Sequence, residues 1–92
     1  MNPHHDQAAR RFTLTFPEGE ARLDYDRPTD KRVVFTHTFV PSTLRGRGLA
    51  EALVRCGLTW ARSQGLVIET SCSYVAVFLE RHPEFLASPK SP

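Results

Sequence analysis

The sequence predicts an α/β (α+β) fold with the element order β-β-β-α-β-α. Three observations lead to this reading. Period-two alternation fills the first half of the chain, a long amphipathic stripe follows a glycine-rich turn, and a second strand-helix pair closes the pattern. A chain of 92 residues supports one domain with a small core, since a fold of this size buries only about 60–65% of its unfolded surface.

Phe12, Leu14 and Phe16 alternate with Thr13 and Thr15. Pro17-Glu18-Gly19-Glu20 then supplies turn residues, and Ala21, Leu23 and Tyr25 alternate with Arg22 and Asp24. This is the signature of an antiparallel hairpin. After a polar turn over Asp26–Lys31, the run Val33–Val40 is β-branched and aromatic on both faces, as expected of a central strand. His37 falls on one strand face with Phe35 and Phe39, where a lone histidine is expected to be a hydrogen-bonded structural residue. A helix is predicted from Gly48 to Gln64, with Leu49, Leu53, Cys56 and Trp60 at helical spacing and Gly65 as a left-handed cap. Ser42 or Thr43 is the expected cap at its start. Leu66–Thr70 reads as a short strand, and Ser73 as the cap of a second helix over Tyr74–Arg81 that Pro83 ends. Trp60, Phe78 and Phe85 are expected to be packing residues. The central strand, long helix and last strand form a βαβ unit. Its two parallel strands place the loop after Val40 and the loop after Thr70 on one sheet edge, where open α/β sheets bind ligands.

Residues 1–9 and 87–92 lack periodicity and read as mobile tails flanking a single domain over 10–86. The chain shows neither a signal-peptide segment nor a run of about 20 apolar residues, which predicts a cytoplasmic protein with no membrane partner. Cys56 and Cys72 are then free thiols, with Cys56 placed in the core by its position in the helical stripe. A formal net charge of +2 is too small to argue for nucleic acid, and no Cys/His/Asp cluster has metal spacing. An uncovered edge strand leaves a homodimer open.

Arg45-Gly46-Arg47-Gly48-Leu49-Ala50 stands apart. Glycine costs a helix about 1 kcal/mol relative to alanine, and arginines at a helix N-terminus oppose its dipole by about 0.3–1 kcal/mol. A bound anion resolves both anomalies, because backbone N–H groups free of Cβ atoms can approach phosphate oxygens closely. A plain turn with exposed arginines is the alternative.

The segment Val40-Pro41-x-x-Leu44-Arg45-Gly46-Arg47-Gly48-Leu49-Ala50 resembles the pyrophosphate-binding motif of the GNAT superfamily of acyl-CoA N-acetyltransferases. That motif has the form Arg/Gln-x-x-Gly-x-Gly/Ala, met here by Arg45, Gly48 and Ala50. His37-Thr38 before it, with Ser71-Cys72-Ser73-Tyr74-Val75 and Arg81-His82-Pro83-Glu84-Phe85 after it, resemble the small single-domain GNAT-like subfamily. The resemblance spans Phe12 to Phe85 and implies a minimal GNAT-like fold. It also implies acetyl-CoA (coenzyme A) as cosubstrate, and an unidentified amine, small molecule or protein lysine, as acceptor. The chain leaves no room for the superfamily's first strand and paired N-terminal helices, which shape the acceptor site. The same resemblance therefore also admits a non-enzymatic CoA-binding module.

By the resemblance, main-chain N–H groups near Phe39 and Val40 hold the pantetheine arm or polarise the thioester carbonyl, and backbone at Arg45 to Ala50 holds the pyrophosphate. Cys72, just before a helix N-terminus, is either an acetyl acceptor or neighbour of the CoA sulfur, or a small core residue. Tyr74 is either the acid that protonates the departing thiolate or a packing residue. His82 is expected only to complement a helix dipole.

Overall fold

The computed structural model describes residues 2–86. Five strands form one mixed sheet in sequence order: β1 (His4–Asp6), β2 (Arg11–Phe16), β3 (Gly19–Asp26), β4 (Arg32–Phe39) and β5 (Val67–Thr70). The first three pairings are antiparallel, and β4 pairs with β5 in parallel. Helix α1 (Leu49–Ser63) makes the crossover, and α2 (Ser73–Arg81) follows β5. The six predicted elements are all present. The predicted tail 87–92 lies outside the described residues.

The structure adds β1 where the sequence pattern suggests a mobile tail and no first strand. Three residues are too short to show a period, and their retention is tertiary. The His5 ring stacks on Phe12 with centroids 4.0 Å apart, meets Trp60 edge-on at 4.6 Å, and places Nε2 2.6 Å from the Tyr25 hydroxyl. Burial lowers the His5 pKa; His4 adds to the shift and Asp6 opposes it.

Phe12, Leu14, Ala21, Leu23, Tyr25, Val33 and Phe35 face the helices and are buried, as the alternation requires. Both helices bury their apolar stripes in the same core. The opposite sheet face is polar, with Asp24 between Arg11 at 3.2 Å and Arg22 at 3.3 Å. On α1 the buried positions are Leu49, Leu53, Val54, Gly57, Leu58 and Ala61. Cys56 and Trp60 are only partly buried, at the margin of that stripe. Phe78 is buried and Phe85 packs beside it at 5.8 Å between ring centroids. The C-terminus of α1 closes as a Schellman motif: Gly65 has φ 69°, its N–H donates to Arg62, and the Leu66 N–H donates to Ala61.

β4 contains an irregularity that the alternation does not reveal. Tyr25 faces Phe35 and Asp24 faces His37, so Thr36 is an extra residue opposite one step of β3. Such a bulge reverses which side chains face which side. Phe35 is buried among the helices, whereas His37 and Phe39 are exposed on the polar face. The three therefore do not share a face, and no side-chain hydrogen bond holds His37 among the described residues. Arg22 lies over the Phe39 ring at 5.0 Å.

Gly57 sets the height of α1 above the sheet. A Cβ there would stand 2.8 Å from Leu23 Cδ2 and 3.0 Å from Phe35 Cε1, both in fully buried side chains. Gly57→Ala should therefore destabilise the fold by about 1–2 kcal/mol, because overpacking outweighs alanine's better helix propensity. A lower urea midpoint at unchanged m-value is expected; a raised midpoint would refute this account of the packing. The His5 contacts give a second expectation. A histidine pKa lowered by folding contributes stability above its unfolded value of about 6.5, and that contribution is lost as pH falls below it. Acidification from pH 7.5 to 5.5 should lower Tm more in the wild type than in His5→Phe, and equal slopes would count against the role of His5.

Candidate functional site

The glycine-arginine turn lies where the βαβ argument places it, beyond the carboxyl end of β4. Pro41 leaves the strand and Ser42–Leu44 form a single 3₁₀ turn, with the Leu44 N–H donating to the Pro41 carbonyl at 2.9 Å. The Leu44 side chain is fully buried and anchors the loop to the core. Gly46 (φ 84°) and Gly48 (φ 73°) are both left-handed, a conformation that costs other residues about 1–2 kcal/mol. A Cβ built on either would meet no atom of the chain. The glycines therefore serve the backbone path and leave the space in front of it open.

Neither Ser42 nor Thr43 caps α1; both belong to the 3₁₀ turn. The N-cap is Gly48, which has no side chain to offer, so no side-chain hydrogen bond satisfies the first-turn N–H groups. They open onto a shallow hollow that Gly46, Gly48, Leu49 and Ala50 line together with Val40, Leu44, Arg45, Glu51 and Tyr74. The two arginines differ. Arg45 lines the hollow while its Nε donates to the Val40 carbonyl at 3.3 Å. Arg47 points instead to Glu18 of the β2–β3 turn, at 3.4 Å.

The second half of the site is built where β5 stops. The parallel register ends at Phe35 opposite Thr70, and the Ser71 N–H donates to the Phe35 carbonyl at 3.0 Å. The Thr70 hydroxyl also donates to that carbonyl at 2.8 Å, and accepts the Cys72 N–H at 2.9 Å. Beyond this point β4 runs on without its neighbour. The Thr36 bulge reverses the backbone alternation as well as the side chains. His37 and Phe39 stand opposite Asp24 and Arg22 of β3, and the Thr38 main-chain N–H reaches the Cys72 sulfur.

Cys72 sits in that gap at the N-cap of α2, with Sγ 3.5 Å from the Thr38 hydroxyl. Burial pushes its thiol pKa up. Hydrogen bonds from the Thr38 side chain and from the main-chain N–H groups of Val75, Tyr74 and Thr38 outweigh that, and the thiol lies below its ordinary value. Cys56 is the reverse case, pushed up by burial alone. Ser73 does not cap α2; it is the first helical residue. Tyr74 stands beside the hollow, 42% exposed. Its pKa is raised by burial and then by the Glu51 carboxylate, against the opposing pull of Arg81, so its hydroxyl stays protonated at neutral pH. The His82 ring lies tilted against Phe78, with centroids 4.4 Å apart, and faces Glu84 at 3.5 Å.

The fold thus gathers Val40, Arg45, Gly46, Gly48, Leu49, Ala50 and Tyr74 around one hollow and sets Cys72 in the adjoining gap. It leaves the Phe39 ring and the Arg47 guanidinium elsewhere. The sequence gives no role to Thr70, or to Thr38 beyond its place in the flanking motif; only β5's end and the bulge bring them to Cys72. Among the described residues, no group of three His, Cys, Asp or Glu side chains could hold a metal, and no helix is long and apolar enough to cross a membrane.

The described residues thus form a mixed-sheet α+β domain in which a parallel strand pair parts beside an uncapped glycine turn. A family model described as GCN5-related N-acetyl-transferase matches residues 11–88, and the chain belongs to that family. Among curated relatives, Protein NATD1 of Bos taurus is 31% identical over 81 residues, covering 86% of this chain and 72% of the relative. Protein NATD1 of Danio rerio is 29% identical over 90 residues, covering 94% and 82%. The fold is similar to the solution structure of a GCN5-like putative N-acetyltransferase from Staphylococcus aureus. The TM-score is 0.72 at 24% identity, with 95% of this chain and 87% of that one covered.

The opposed environments of the two thiols predict their reactivity. Cys72 should be alkylated by iodoacetamide faster than Cys56 at pH 7.5, and Thr38→Val should move the Cys72 pH–rate profile to higher pH. Equal rates for the two cysteines, or an unmoved profile, would contradict the hydrogen-bonding account.

Proposed function

We propose that the chain binds acetyl-CoA and transfers its acetyl group to an amine. The observation that carries this reading is the pair of left-handed glycines at an uncapped helix start, opening onto the hollow that borders the β4–β5 gap. The residues fit the ligand. A pyrophosphate matches a set of free N–H groups at the positive end of a helix dipole, approached without Cβ atoms in the way. An extended amide chain suits the stretch of β4 beyond Phe35 that β5 leaves without a parallel partner, as an added strand would.

Acetyl-CoA supplies the activated acyl thioester. The protein's part is to hold and polarise it. On this reading the backbone from Gly46 to Ala50, with Arg45 beside it, anchors the pyrophosphate. The main-chain N–H of Val40 faces the thioester oxygen, where fixed donors stabilise growing negative charge. Tyr74, protonated at neutral pH, holds a proton for a departing thiolate. Cys72, already hydrogen-bonded through Thr38 and the α2 N-terminus, lies next to the reacting sulfur. The β4–β5 gap opens between the helix-covered and polar faces of the sheet, which leaves an amine an approach that the helices do not block.

Calorimetry with acetyl-CoA, CoA and ATP is the first test, and both CoA species should bind at sub-millimolar concentration while ATP binds more weakly. No CoA binding would end the proposal. Gly48→Asn, whose side chain tolerates the left-handed region, should keep the fold and weaken CoA binding; unchanged affinity would remove the cradle from the account. Tyr74→Phe should lower kcat by about 100-fold with little change in CoA affinity, measured with whichever amine in a panel supports turnover. Intact mass after acetyl-CoA exposure tells an acetylated Cys72 from one that only lines the gap. CoA binding with no consumption by any amine would instead mark a CoA-binding module.

A further inference from the structure

We infer that β1 is the docking edge for a second copy of this chain. The two copies join β1 to β1, antiparallel about His5, into one continuous sheet of ten strands, five from each. The inference is independent of the CoA reading, because β1 and the β4–β5 gap lie toward opposite edges of the sheet.

Main-chain pairing makes β1 a receptive edge. The Tyr25 N–H donates to the Arg10 carbonyl at 3.0 Å, so these two residues form a hydrogen-bonded pair. Such pairs alternate along an antiparallel ladder. In the register of β2 with β3, the main-chain groups of Phe12 and Leu14 therefore turn to β3, and those of Arg11 and Thr13 turn to β1. Arg11 and Thr13 stand opposite Asp6 and His4, whose own main-chain groups are thereby committed to β2. The N–H and C=O of His5 then point outward, away from the sheet. The His5 ring, fixed against Phe12 and Trp60, holds them there. An outward N–H and C=O on one residue can pair reciprocally with the same residue of a second copy.

Side chains select the partner and the register. His4 and Asp6 lie on the polar face, opposite to the His5 ring. A two-fold axis through His5, perpendicular to the sheet, sets His4 of each copy opposite Asp6 of the other. Those positions are the non-hydrogen-bonded pairs, where side chains approach most closely, and an imidazole N–H can donate to a carboxylate. Oδ1 of Asp6 accepts the Ala9 N–H at 3.0 Å, and its second oxygen is the acceptor for this contact. The contact also extends a row already built across the polar face. His37, Asp24, Arg11 and Asp6 follow one another strand by strand, and His4 of the second copy continues the alternation of base and acid. Other registers lose this match. Centring on Asp6 sets carboxylate against carboxylate, and centring on His4 sets Pro3, which has no N–H, opposite His5. The other edge of the sheet offers no matched register either. Centring β5 on Glu69 opposes like charges, and centring it on Ile68 sets Glu69 opposite Val67.

The contact is three residues wide, so association should be modest and concentration-dependent. In sedimentation velocity the full chain should shift from monomer to dimer toward millimolar concentration. His4→Asp and Asp6→His should each weaken self-association, because each sets like residues opposite one another. An equimolar mixture of the two variants again pairs Asp with His at both places, and should associate about tenfold more tightly than either variant alone. Amide hydrogen exchange gives a readout that needs no variant. The His5 N–H should exchange freely in dilute protein and become protected as concentration rises. Both variants should keep the wild-type circular dichroism; if either does not, the exchange measurement decides. A wild type that stays monomeric at millimolar concentration would overturn the inference. So would a mixture of folded variants that associates no better than its components, or a His5 amide whose exchange is indifferent to concentration.

Discussion

The site depends on β5 ending at Thr70 while β4 continues to Phe39. Had the two strands stayed paired, the main-chain groups of β4 would be consumed by the ladder and no gap would exist beside Cys72. One hydroxyl fixes the end point. Thr70 donates to the Phe35 carbonyl and accepts the Cys72 N–H, so the last pair of the ladder is closed on both sides and the chain is turned away into α2. The bulge at Thr36 completes the effect. It rotates β4 by one position, setting Thr38 toward Cys72 and His37 and Phe39 toward the polar face.

The two helix starts that flank this gap are finished in different ways. At α2 the half-buried Cys72 sulfur receives the field of the helix N-terminus and the Thr38 hydroxyl, which lowers the thiol's pKa against the desolvation that would raise it. At α1 the N-cap is a glycine with nothing to donate or accept through a side chain. A Ser or Asp cap would be worth about 1 kcal/mol to the helix, yet it would occupy the donors that an anion needs. The chain forgoes that stabilisation beside the hollow. It recovers rigidity elsewhere, through the buried Leu44 beneath the turn and the Schellman closure at the other end of the same helix.

Packing holds this geometry in place from the far side. Gly57 lets α1 settle onto Leu23 and Phe35, and Phe35 is also the residue whose carbonyl ends the parallel ladder. The helix, the core and the end of β5 are thus linked through one β4 residue. The aromatic group of His5, Phe12, Tyr25 and Trp60 performs the same service at the opposite edge, tying a three-residue strand to the sheet.

Periodicity, turn chemistry and the two glycines were enough to determine β2 to β5, both helices, the parallel βαβ unit and the place of the glycine-arginine turn. Those signals are local: a stripe, an alternation, a residue that tolerates positive φ. Whatever required two distant segments to meet was decided only in three dimensions. β1 is too short to carry a period and exists through the contacts of His5. The Thr36 bulge leaves no mark in a run that is β-branched and aromatic on both faces, so His37 and Phe39 read as companions of Phe35. Thr38 and Thr70 are unremarkable until β5 ends between them. Arg45 and Arg47 look equivalent in sequence, and only the nearness of Glu18 to one of them separates their roles. The sequence alone identified the turn; the tertiary structure decided which side chains face it, because facing is a property of pairing and not of order along the chain.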